Sequence, residues 1–371
     1  MVHERINVTR SSMPGFDEYM EKLKTVWDSR WLSNRGGASV EFEEKLKQYL
    51  ETDNLYLFAN GHLALEVALN ALHMKGEVIT TPFTHCSTIH AIVRNGLKPV
   101  FVDIRESDCT INPEYIEAAI TENTAAIVAT HVYGFICDVE AIEKIGHKYG
   151  LKVIYDAAHA FGVTYKGIGS ANFGDASMFS THATKVFHTI EGGIVAYKDR
   201  ELFKELRHLV NFGFTSQDDI EYVGTNARMN EFEAVMGICN LEYIDGEIAK
   251  RKMVWDRYVE RLSGIKGLRL IIPNSNLKWN YSYFPVFFDG YKVTRDEIRL
   301  KLEKENIFAR KYFYPIVNKA GCYNEDYGTA DVPVAAHASE CVLTLPMYAE
   351  LTLQDVDYIC DIIIRLSLIH I

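Results

Sequence analysis

The sequence predicts an α/β protein with a large, mostly parallel sheet and a smaller α+β domain. From about residue 40 to residue 200, helical periodicity alternates with short apolar runs, which is the pattern of repeated strand–helix–strand units. The runs are almost continuously apolar, as expected for strands buried on both faces. After about residue 230 the chain changes to long charged helices with few strands. We therefore expect a large domain over residues 1–245 and a small C-terminal α+β domain over residues 246–371.

Helices and strands alternate in the predicted large domain. Two early segments place apolar residues at helical spacing and are rich in residues that favour helix. These helices are SVEFEEKLKQYLE and HLALEVALNALHM, and EYIEAAITEN and DVEAIEKIGHKYG follow them. The predicted strands are EVITTPF, KPVFVDI, AAIVATHVYG, LKVIYDAAH, ASMFS and GGIVAY.

The small domain is joined to the large one by a charged amphipathic stretch over residues 231–262. It predicts one long helix, or two with a break near Asp245 and Gly246. The alternation from Tyr281 to Phe288 predicts a half-buried strand that belongs to the core. The remaining segments are the strand FARKYF, the helix TRDEIRLKLEKE and the terminal helix LQDVDYICDIIIRLSLI.

Composition and charge exclude several classes of protein. The chain has 39 Lys and Arg against 50 Asp and Glu, a formal charge of −11, which disfavours binding to nucleic acid. The opening MVHERINVTRSSMPGF has no apolar signal region, and no apolar run approaches the roughly 18 residues of a membrane span. The 7 cysteines form no C-x-x-C pair, so neither a metal site nor a disulfide framework is expected. A cytoplasmic protein without membrane contact is expected.

The loops after the strands are the expected place for a ligand, because open α/β sheets bind ligands beyond the carboxyl ends of their strands. These loops are Asn60-Gly61 and residues 83–87, 131–134, 156–159 and 180–185. They contain no P-loop, no dinucleotide-binding fingerprint, no H-E-x-x-H and no G-x-S-x-G. Nucleotide hydrolysis, zinc peptidase and α/β-hydrolase chemistry are therefore disfavoured.

Asp156 and Lys185 together indicate pyridoxal 5′-phosphate (PLP). A buried lysine can form a Schiff base, and a carboxylate can keep a pyridine nitrogen protonated, which makes the ring an electron sink. The phosphate needs donors, and the backbone N–H groups of Gly61 and His62 open a predicted helix. Alone, Asp156 would be read as a residue capping a turn and Lys185 as a solvated loop lysine. In this order and spacing, the pair favours PLP.

Several longer segments resemble one family over nearly the whole chain. TTPFTHCSTIHAIVRNGLKPVFVDI, VIYDAAHAFG, FSTHATKVFHTIEGG and GTNARMNEF are similar to the DegT/DnrJ/EryC1/StrS sugar aminotransferases. The resemblance implies the PLP-dependent transferase fold type I, which is that of aspartate aminotransferase. It also implies an enzyme that aminates keto groups on nucleotide-linked sugars with glutamate as the donor.

The resemblance also implies roles for single residues. Lys185 matches the Schiff-base lysine, which also moves the proton between carbons, and Asp156 matches the pyridinium partner. Two further positions match groups that contact the cofactor: His159 near its phenolic oxygen and Ser180 at its phosphate, beside Gly61 and His62. His85 falls where a Phe or Trp usually stacks on the ring, and His62 falls where Thr or Ser is commoner.

The predicted partners are a second copy of the chain and a nucleotide sugar. Asn226 and Arg228 match a segment that reaches the neighbouring subunit's cofactor, so a homodimer with shared sites is implied. Trp31 is placed over the sugar by resemblance. Cations and aromatic rings alternate at Arg310, Lys311, Tyr312 and Tyr314, which suits a clamp for a nucleotide diphosphate but equally a strand at a domain junction. His182 and His188 are read as loop histidines that shape the pocket.

The specific reaction is predicted from the opening RINVTRSSMP and from residues 306–315. Both resemble members that convert dTDP-4-keto-6-deoxyglucose to dTDP-4-amino-4,6-dideoxyglucose. Amination at carbon 3 of a dTDP-3-keto-6-deoxyhexose remains an alternative, as does a non-catalytic regulatory relative. A 3-dehydratase is disfavoured because it would carry a histidine in place of Lys185. Whether the product enters O-antigen or another lipopolysaccharide, a glycoprotein or an antibiotic stays open.

Overall fold

The computed structural model describes residues 4–368, and its strands form three sheets. The strands are β1 Leu55–Phe58, β2 Glu77–Thr80, β3 Lys98–Phe101, β4 Thr124–Thr130, β5 Lys152–Asp156, β6 Thr164–Tyr165, β7 Ile168–Gly169, β8 Ala176–Ser180, β9 Gly193–Tyr197, β10 Leu268–Leu270, β11 Leu277–Lys278, β12 Phe284–Phe288 and β13 Val342–Leu345.

The helices cover the sheets and connect their strands. They are α1 Phe16–Ser29, α2 Gly37–Leu50, α3 Gly61–Ala71, α4 Cys86–Arg94, α5 Pro113–Ala119, α6 Val139–Tyr149, α7 Leu202–Leu209, α8 Glu231–Leu262, α9 Arg295–Lys304, α10 Asn324–Tyr327, α11 Pro333–Cys341 and α12 Leu353–Leu368. None of those in the described chain is long and apolar enough to cross a membrane.

The central sheet has seven strands in the order β1-β9-β8-β5-β4-β2-β3. Every neighbouring pair from β8 to β3 is parallel, and β9 runs antiparallel to both β1 and β8. The predicted α/β class with a mostly parallel sheet is therefore confirmed. Strand β1 was not predicted, because four consecutive buried residues give no periodicity that separates strand from helix.

The stretch over residues 231–262 forms the single helix α8, with no break near Asp245 and Gly246. A capping box starts it: the Asn230 side chain accepts from the Glu233 N–H, and the Glu233 carboxylate accepts from the Asn230 N–H. Helix α2 packs so closely on α8 that a Cβ at Gly237 would lie 2.3 Å from the Phe42 ring. The predicted boundary at residue 245 falls inside this helix and stays a prediction.

The C-terminal part is built on a small antiparallel sheet, β10-β12-β13. Strand β12 is buried along its whole length, so the predicted half-buried strand over Tyr281–Phe288 is shorter and more buried than expected. The predicted strand FARKYF is wrong. Only single bridges form there, Ile307 to Ile6 and Arg310 to Thr344, because the chain turns away from β13 to bring its aromatic rings to the large sheet.

Candidate active site

The site lies at the carboxyl edge of the central sheet, where β4, β5 and β8 end. Asp156 pairs with Thr130 across β4 and β5, and with Met178 across β5 and β8. Ser180 ends β8 two residues beyond Met178. The parallel register therefore brings the last residues of the three strands to one edge, as the strand-loop argument predicts.

The Asp156 carboxylate is fixed by two hydrogen bonds. Its side chain is 4% exposed; Oδ2 accepts from the Thr88 hydroxyl at 2.6 Å, and Oδ1 accepts from the Ala158 N–H at 3.1 Å. Thr88 is itself linked to Thr84 at 2.9 Å, and Thr84 to Thr130 at 2.8 Å. A buried carboxylate held by hydroxyl and amide donors is fixed in orientation, as a pyridinium partner must be.

Lys185 lies in the loop after β8, where its N–H donates to the His182 carbonyl at 2.9 Å. Its Nζ lies 6.0 Å from the centre of the Tyr283 ring and forms no ion pair with any carboxylate of residues 4–368. The Lys185 charge helps to lower the pKa of both His85 and His159, which places the amine among these rings. Within the described residues, the amine is therefore not held by an ion pair.

His159 is held as a neutral imidazole with a defined tautomer. Burial, followed by the charge of Lys185, holds the pKa of His159 well below its usual range. Its Nδ1 accepts a hydrogen bond from the Tyr133 N–H at 3.1 Å, so the proton is on Nε2. His159 can therefore donate a hydrogen bond to an oxygen of a bound group without bringing a positive charge.

The predicted phosphate donors meet where α3 begins. Ser180 packs on this helix end so closely that a Cβ at Gly61 would lie 2.8 Å from the Ser180 Cβ, and only glycine fits there. Asn60 caps the helix by accepting from the Leu63 N–H, and the N–H groups of Gly61 and His62 belong to the same first turn, where backbone donors have no partner within the helix. The His62 ring points away to Ser87 and Glu66, at 2.9 and 3.2 Å, so only its backbone can take the predicted role.

His85 caps helix α4, because its Nδ1 accepts from the Ser87 N–H at 3.2 Å. Desolvation by the surrounding atoms and the charge of Lys185 lower the pKa of His85, although part of the residue is exposed to solvent. The ring lies 6.4 Å from both Tyr312 and Phe313. A neutral imidazole is therefore positioned on the open side of the site, where the sequence places a ring that stacks on the cofactor.

These residues fit PLP. The chain offers an unpaired amine, an oriented buried carboxylate, a neutral imidazole donor and a helix N-terminus beside a serine hydroxyl. They correspond to the cofactor's aldehyde, ring nitrogen, phenolic oxygen and phosphate. Lys185, Asp156, His159, Ser180 and Gly61 would hold it.

The predicted substrate residues separate into three groups. Arg310 lies 4.9 Å from the Tyr312 ring and its charge acts on the pKa of His85, so both belong to the site. Lys311 instead pairs with Asp296 of α9 at 3.1 Å, and its amine lies over the Tyr314 ring at 4.2 Å. Trp31 is 59% exposed between α1 and α2. A four-residue clamp is therefore not assembled.

Asn226 and Arg228 have hydrogen-bond partners in their own chain. The Arg228 guanidinium donates to Asn226 at 3.0 Å, to Asn211 at 2.8 Å and to Asn34 at 2.5 Å. A cavity of about 930 Å³ lies beside them and also contains Arg35 and Arg207. These hydrogen bonds link side chains of partly exposed loops. The loops meet only in the folded chain, so the spacing of the residues in the sequence does not predict the bonds.

Sequence reasoning missed three residues of the site. Thr88 orients Asp156, the Tyr133 N–H sets the tautomer of His159, and the Tyr283 ring faces Lys185. A signal existed for Thr88: it is one of several threonines, with Thr84 and Thr130, at the ends of otherwise apolar segments. No comparable signal marks Tyr133 or Tyr283, whose roles depend on tertiary packing.

The match to known proteins covers nearly all of the chain. Residues 16–364 match the DegT/DnrJ/EryC1/StrS aminotransferase family. Two proteins named dTDP-4-amino-4,6-dideoxy-D-glucose transaminase are each 40% identical: that of Shigella dysenteriae over 96% of this chain and 98% of its own, and that of Escherichia coli over 95% and 96%. A GDP-perosamine synthase of Caulobacter vibrioides is 31% identical over 95% of this chain and 96% of its own.

Solved structures share the fold. DesI, crystallised in the presence of its TDP-sugar product, has a TM-score of 0.94 at 30% identity and covers 98% of this chain and 94% of its own. The sugar aminotransferase Spr1654 of Streptococcus pneumoniae in its PLP form has a TM-score of 0.91 at 25% identity, with 98% of both chains covered.

Fold and site together define a PLP-dependent aminotransferase of fold type I, as the sequence predicts. More narrowly, the chain belongs to the DegT/DnrJ/EryC1/StrS aminotransferase family. The resemblance drawn from the sequence motifs is thereby confirmed, and so is the cofactor.

Proposed function

We propose that this enzyme transfers an amino group from glutamate to carbon 4 of dTDP-4-keto-6-deoxyglucose and so forms dTDP-4-amino-4,6-dideoxyglucose. The observation that carries the proposal is the 40% identity to two transaminases of that name over almost the full length of each chain. The intact Lys185 and Asp156 support transamination rather than a binding function.

The residues of the chain divide the chemistry between them. When bound, PLP supplies a ring that accepts electrons from the carbon bearing the amino group. Lys185 would hold the cofactor and, as a free amine, would move a proton between carbons. Asp156, oriented by Thr88, would keep the proton on the ring nitrogen, and the Nε2–H of His159 would donate to the phenolic oxygen.

Arg310 and Tyr312 are the proposed contacts to the nucleotide sugar. Arg310 is exposed and extends over the Tyr312 ring, and no carboxylate of the described residues forms an ion pair with it. An unpaired guanidinium at the mouth of the site suits the two phosphates of a nucleotide diphosphate. Lys311 and Tyr314 support this strand-like segment from the α9 side.

A homodimer with shared sites is part of the proposal. Phe16, Trp27, Trp31 and Val223 are exposed by 76, 70, 59 and 94%, and burial of such large apolar side chains against a second copy would be favourable. The arginine-rich cavity beside Arg228 suits an anionic group, and the partner's cofactor phosphate would supply one. In that dimer, Asn226 and Arg228 exchange their internal hydrogen bonds for contacts to the partner's site.

A substrate panel tests the proposal. The purified enzyme is given glutamate with dTDP-4-keto-6-deoxyglucose, with a dTDP-3-keto-6-deoxyhexose, or with a GDP-linked 4-keto-6-deoxyhexose, and the products are identified by NMR. We expect the dTDP-linked 4-keto sugar to give the highest kcat/KM. Preference for the 3-keto sugar or for the GDP-linked sugar would replace the proposed substrate, and no amination of any of the three would contradict the function.

A further inference from the structure

Three metal-ligating side chains meet on the surface of the C-terminal part. His337 and Cys341 lie one helical turn apart on α11, and Asp289 follows the end of β12. The His337 Nε2 lies 3.0 Å from the Asp289 Oδ2 and 3.7 Å from the Cys341 Sγ, and one ligand atom from each residue lies within 4.8 Å of the others. None of the three takes part in the catalytic site.

The spacing of the three atoms suits a tetrahedral metal ion. Zn–N and Zn–O distances near 2.1 Å and a Zn–S distance near 2.3 Å separate neighbouring ligand atoms by roughly 3.4 to 3.6 Å. The His337 Nε2 lies 3.0 Å from the Asp289 Oδ2 and 3.7 Å from the Cys341 Sγ, one distance below that range and one above it. The Asp289 oxygen and the Cys341 sulfur lie within 4.8 Å of each other, and side-chain rotations that bring them closer would complete the geometry.

The backbone that carries the ligands is rigidly held. The Asp103 carboxylate accepts from the Val334 and Ala335 N–H groups, at 2.8 Å each, and so fixes the start of α11. At its other end, the buried Arg295 donates to the Ser339 carbonyl at 3.0 Å and to the Val342 carbonyl at 2.9 Å. A site built on such fixed elements needs little ordering when it binds a ligand.

The nearby arginines are engaged by other groups. Arg295 pairs with Asp296 at 3.0 Å and lies 3.8 Å from Glu340. Arg269 stacks on the Phe287 ring at 3.9 Å and donates to the Glu106 carbonyl at 2.9 Å. Both guanidiniums are therefore engaged by other groups, and neither forms an ion pair with Asp289 in the described part of the chain.

We propose that Asp289, His337 and Cys341 form a binding site for a divalent metal ion of the zinc type. The thiolate and the imidazole select such an ion over magnesium or calcium, which prefer oxygen ligands alone. On binding, Cys341 loses its proton to solvent and the metal–sulfur bond forms. A water molecule takes the fourth position, because the cluster lies at the surface.

The competing interpretation is a surface ion pair between Asp289 and His337, with Cys341 beside it by chance. The two interpretations differ in the part assigned to sulfur. A metal site loses affinity when the thiol is removed, whereas an ion pair does not involve Cys341.

The test uses the tag-free holoenzyme, freed of metal and dialysed against buffered free Zn²⁺, with bound zinc measured by elemental analysis. We expect one zinc ion per chain, and an affinity weakened by more than about tenfold in Cys341→Ser and in His337→Ala. Cys322→Ser and His147→Ala change an exposed cysteine and an exposed histidine outside the cluster, and should bind as the unchanged enzyme does.

Cobalt gives an independent signal from the sulfur ligand. Co²⁺ added to the metal-free holoenzyme should produce a thiolate-to-cobalt absorption band in a difference spectrum, and Cys341→Ser should abolish the band while Cys322→Ser retains it. Absence of zinc binding by the unchanged enzyme, or equal binding by Cys341→Ser, would overturn the proposal.

Discussion

Lys185 and His159 lie close together, and the surroundings of His159 keep its imidazole neutral. The lysine amine has no carboxylate partner among residues 4–368, while burial and the lysine charge hold the pKa of His159 well below its usual range. Asp156, fixed by Thr88, supplies the negative charge on the other side of the site. An amine, a neutral donor and a carboxylate can thus act on three different atoms of one cofactor.

Replacement of Lys185 by alanine should abolish amination and the visible absorbance of the bound cofactor. Without its amine, the variant cannot form the covalent bond to the cofactor or move the proton between carbons. Absorbance and turnover are measured on the purified variant. Lys198→Ala, which removes an exposed lysine paired with Glu143, is the control and should remain active. A fully active Lys185→Ala enzyme would refute the assigned role.

Replacement of Asp156 by asparagine should leave the cofactor bound but lower kcat by about a hundredfold or more, the scale of a lost proton-holding group. The neutral amide can still accept a hydrogen bond from Thr88, yet it cannot keep the ring nitrogen protonated. Bound PLP and kcat are measured on the same preparation. Unchanged turnover would reduce Asp156 to a structural residue at the end of a strand.

Thr88 should act through Asp156. Thr88→Val removes a hydrogen bond to a charged group, which is worth about 1.5 to 3 kcal/mol, and a loss of this size in the transition state slows turnover by about tenfold or more. Thr88→Ser keeps the hydroxyl and should restore the rate. Steady-state kcat and KM are compared at equal PLP occupancy. Equal kcat values for Thr88→Val and Thr88→Ser would show that the hydroxyl has no part in positioning Asp156.

The parallel strands and their connecting helices were the most predictable elements. The segments that run between the central sheet and the sheet β10-β12-β13 were the least predictable. The continuous apolar run in LKVIYDAAH predicted β5, and this strand ends at Asp156 as expected. FARKYF has the alternation of a strand, yet Tyr312 and Phe313 turn to pack on His159 at 5.9 and 6.0 Å. Tertiary packing determines the conformation of that segment, and the local hydrophobic pattern does not predict it.

Strand β4 leads into a buried histidine that should make stability depend on pH. Burial lowers the pKa of His131 to about 3, and the ring accepts from the Cys137 N–H and stacks on Tyr155 at 4.5 Å. The unfolded chain has a histidine pKa near 6.5 and binds the extra proton. The stability present above about pH 6.5 is therefore lost progressively as the pH falls towards 3.

The measurement is urea unfolding of the holoenzyme between about pH 7 and pH 4.5. His131→Asn should lower the slope of the unfolding free energy against pH by up to about 1.4 kcal/mol per pH unit. His147→Asn changes an exposed histidine and should keep the original slope. If the slope of His131→Asn equals that of the unchanged enzyme, His131 does not titrate on unfolding.

For the whole molecule, the central prediction about assembly is that each site draws on two chains. Lys185→Ala subunits and Asn226→Ala/Arg228→Ala subunits, each inactive alone, are mixed under conditions that exchange subunits. One site of the hybrid dimer would then combine an intact lysine from one chain with intact Asn226 and Arg228 from the other. Activity should return to at most one working site per hybrid dimer, which is measured by turnover.

Two results are needed to interpret that mixture. Native mass spectrometry must show that hybrid dimers form, and the double variant must be inactive by itself. With both satisfied, no recovery of activity would mean that Arg228 serves its own chain, through the bonds to Asn34 and Asn211.

The most direct test of the proposed function follows one nitrogen atom. The holoenzyme is incubated with glutamate that carries an isotopically labelled amino nitrogen and with dTDP-4-keto-6-deoxyglucose, and the sugar nucleotide is analysed by NMR. We predict labelled nitrogen bonded to carbon 4 of the product, one 2-oxoglutarate formed for each amino sugar, and neither product with Lys185→Ala. A product without the label, label at carbon 3, or equal formation by Lys185→Ala would contradict the account.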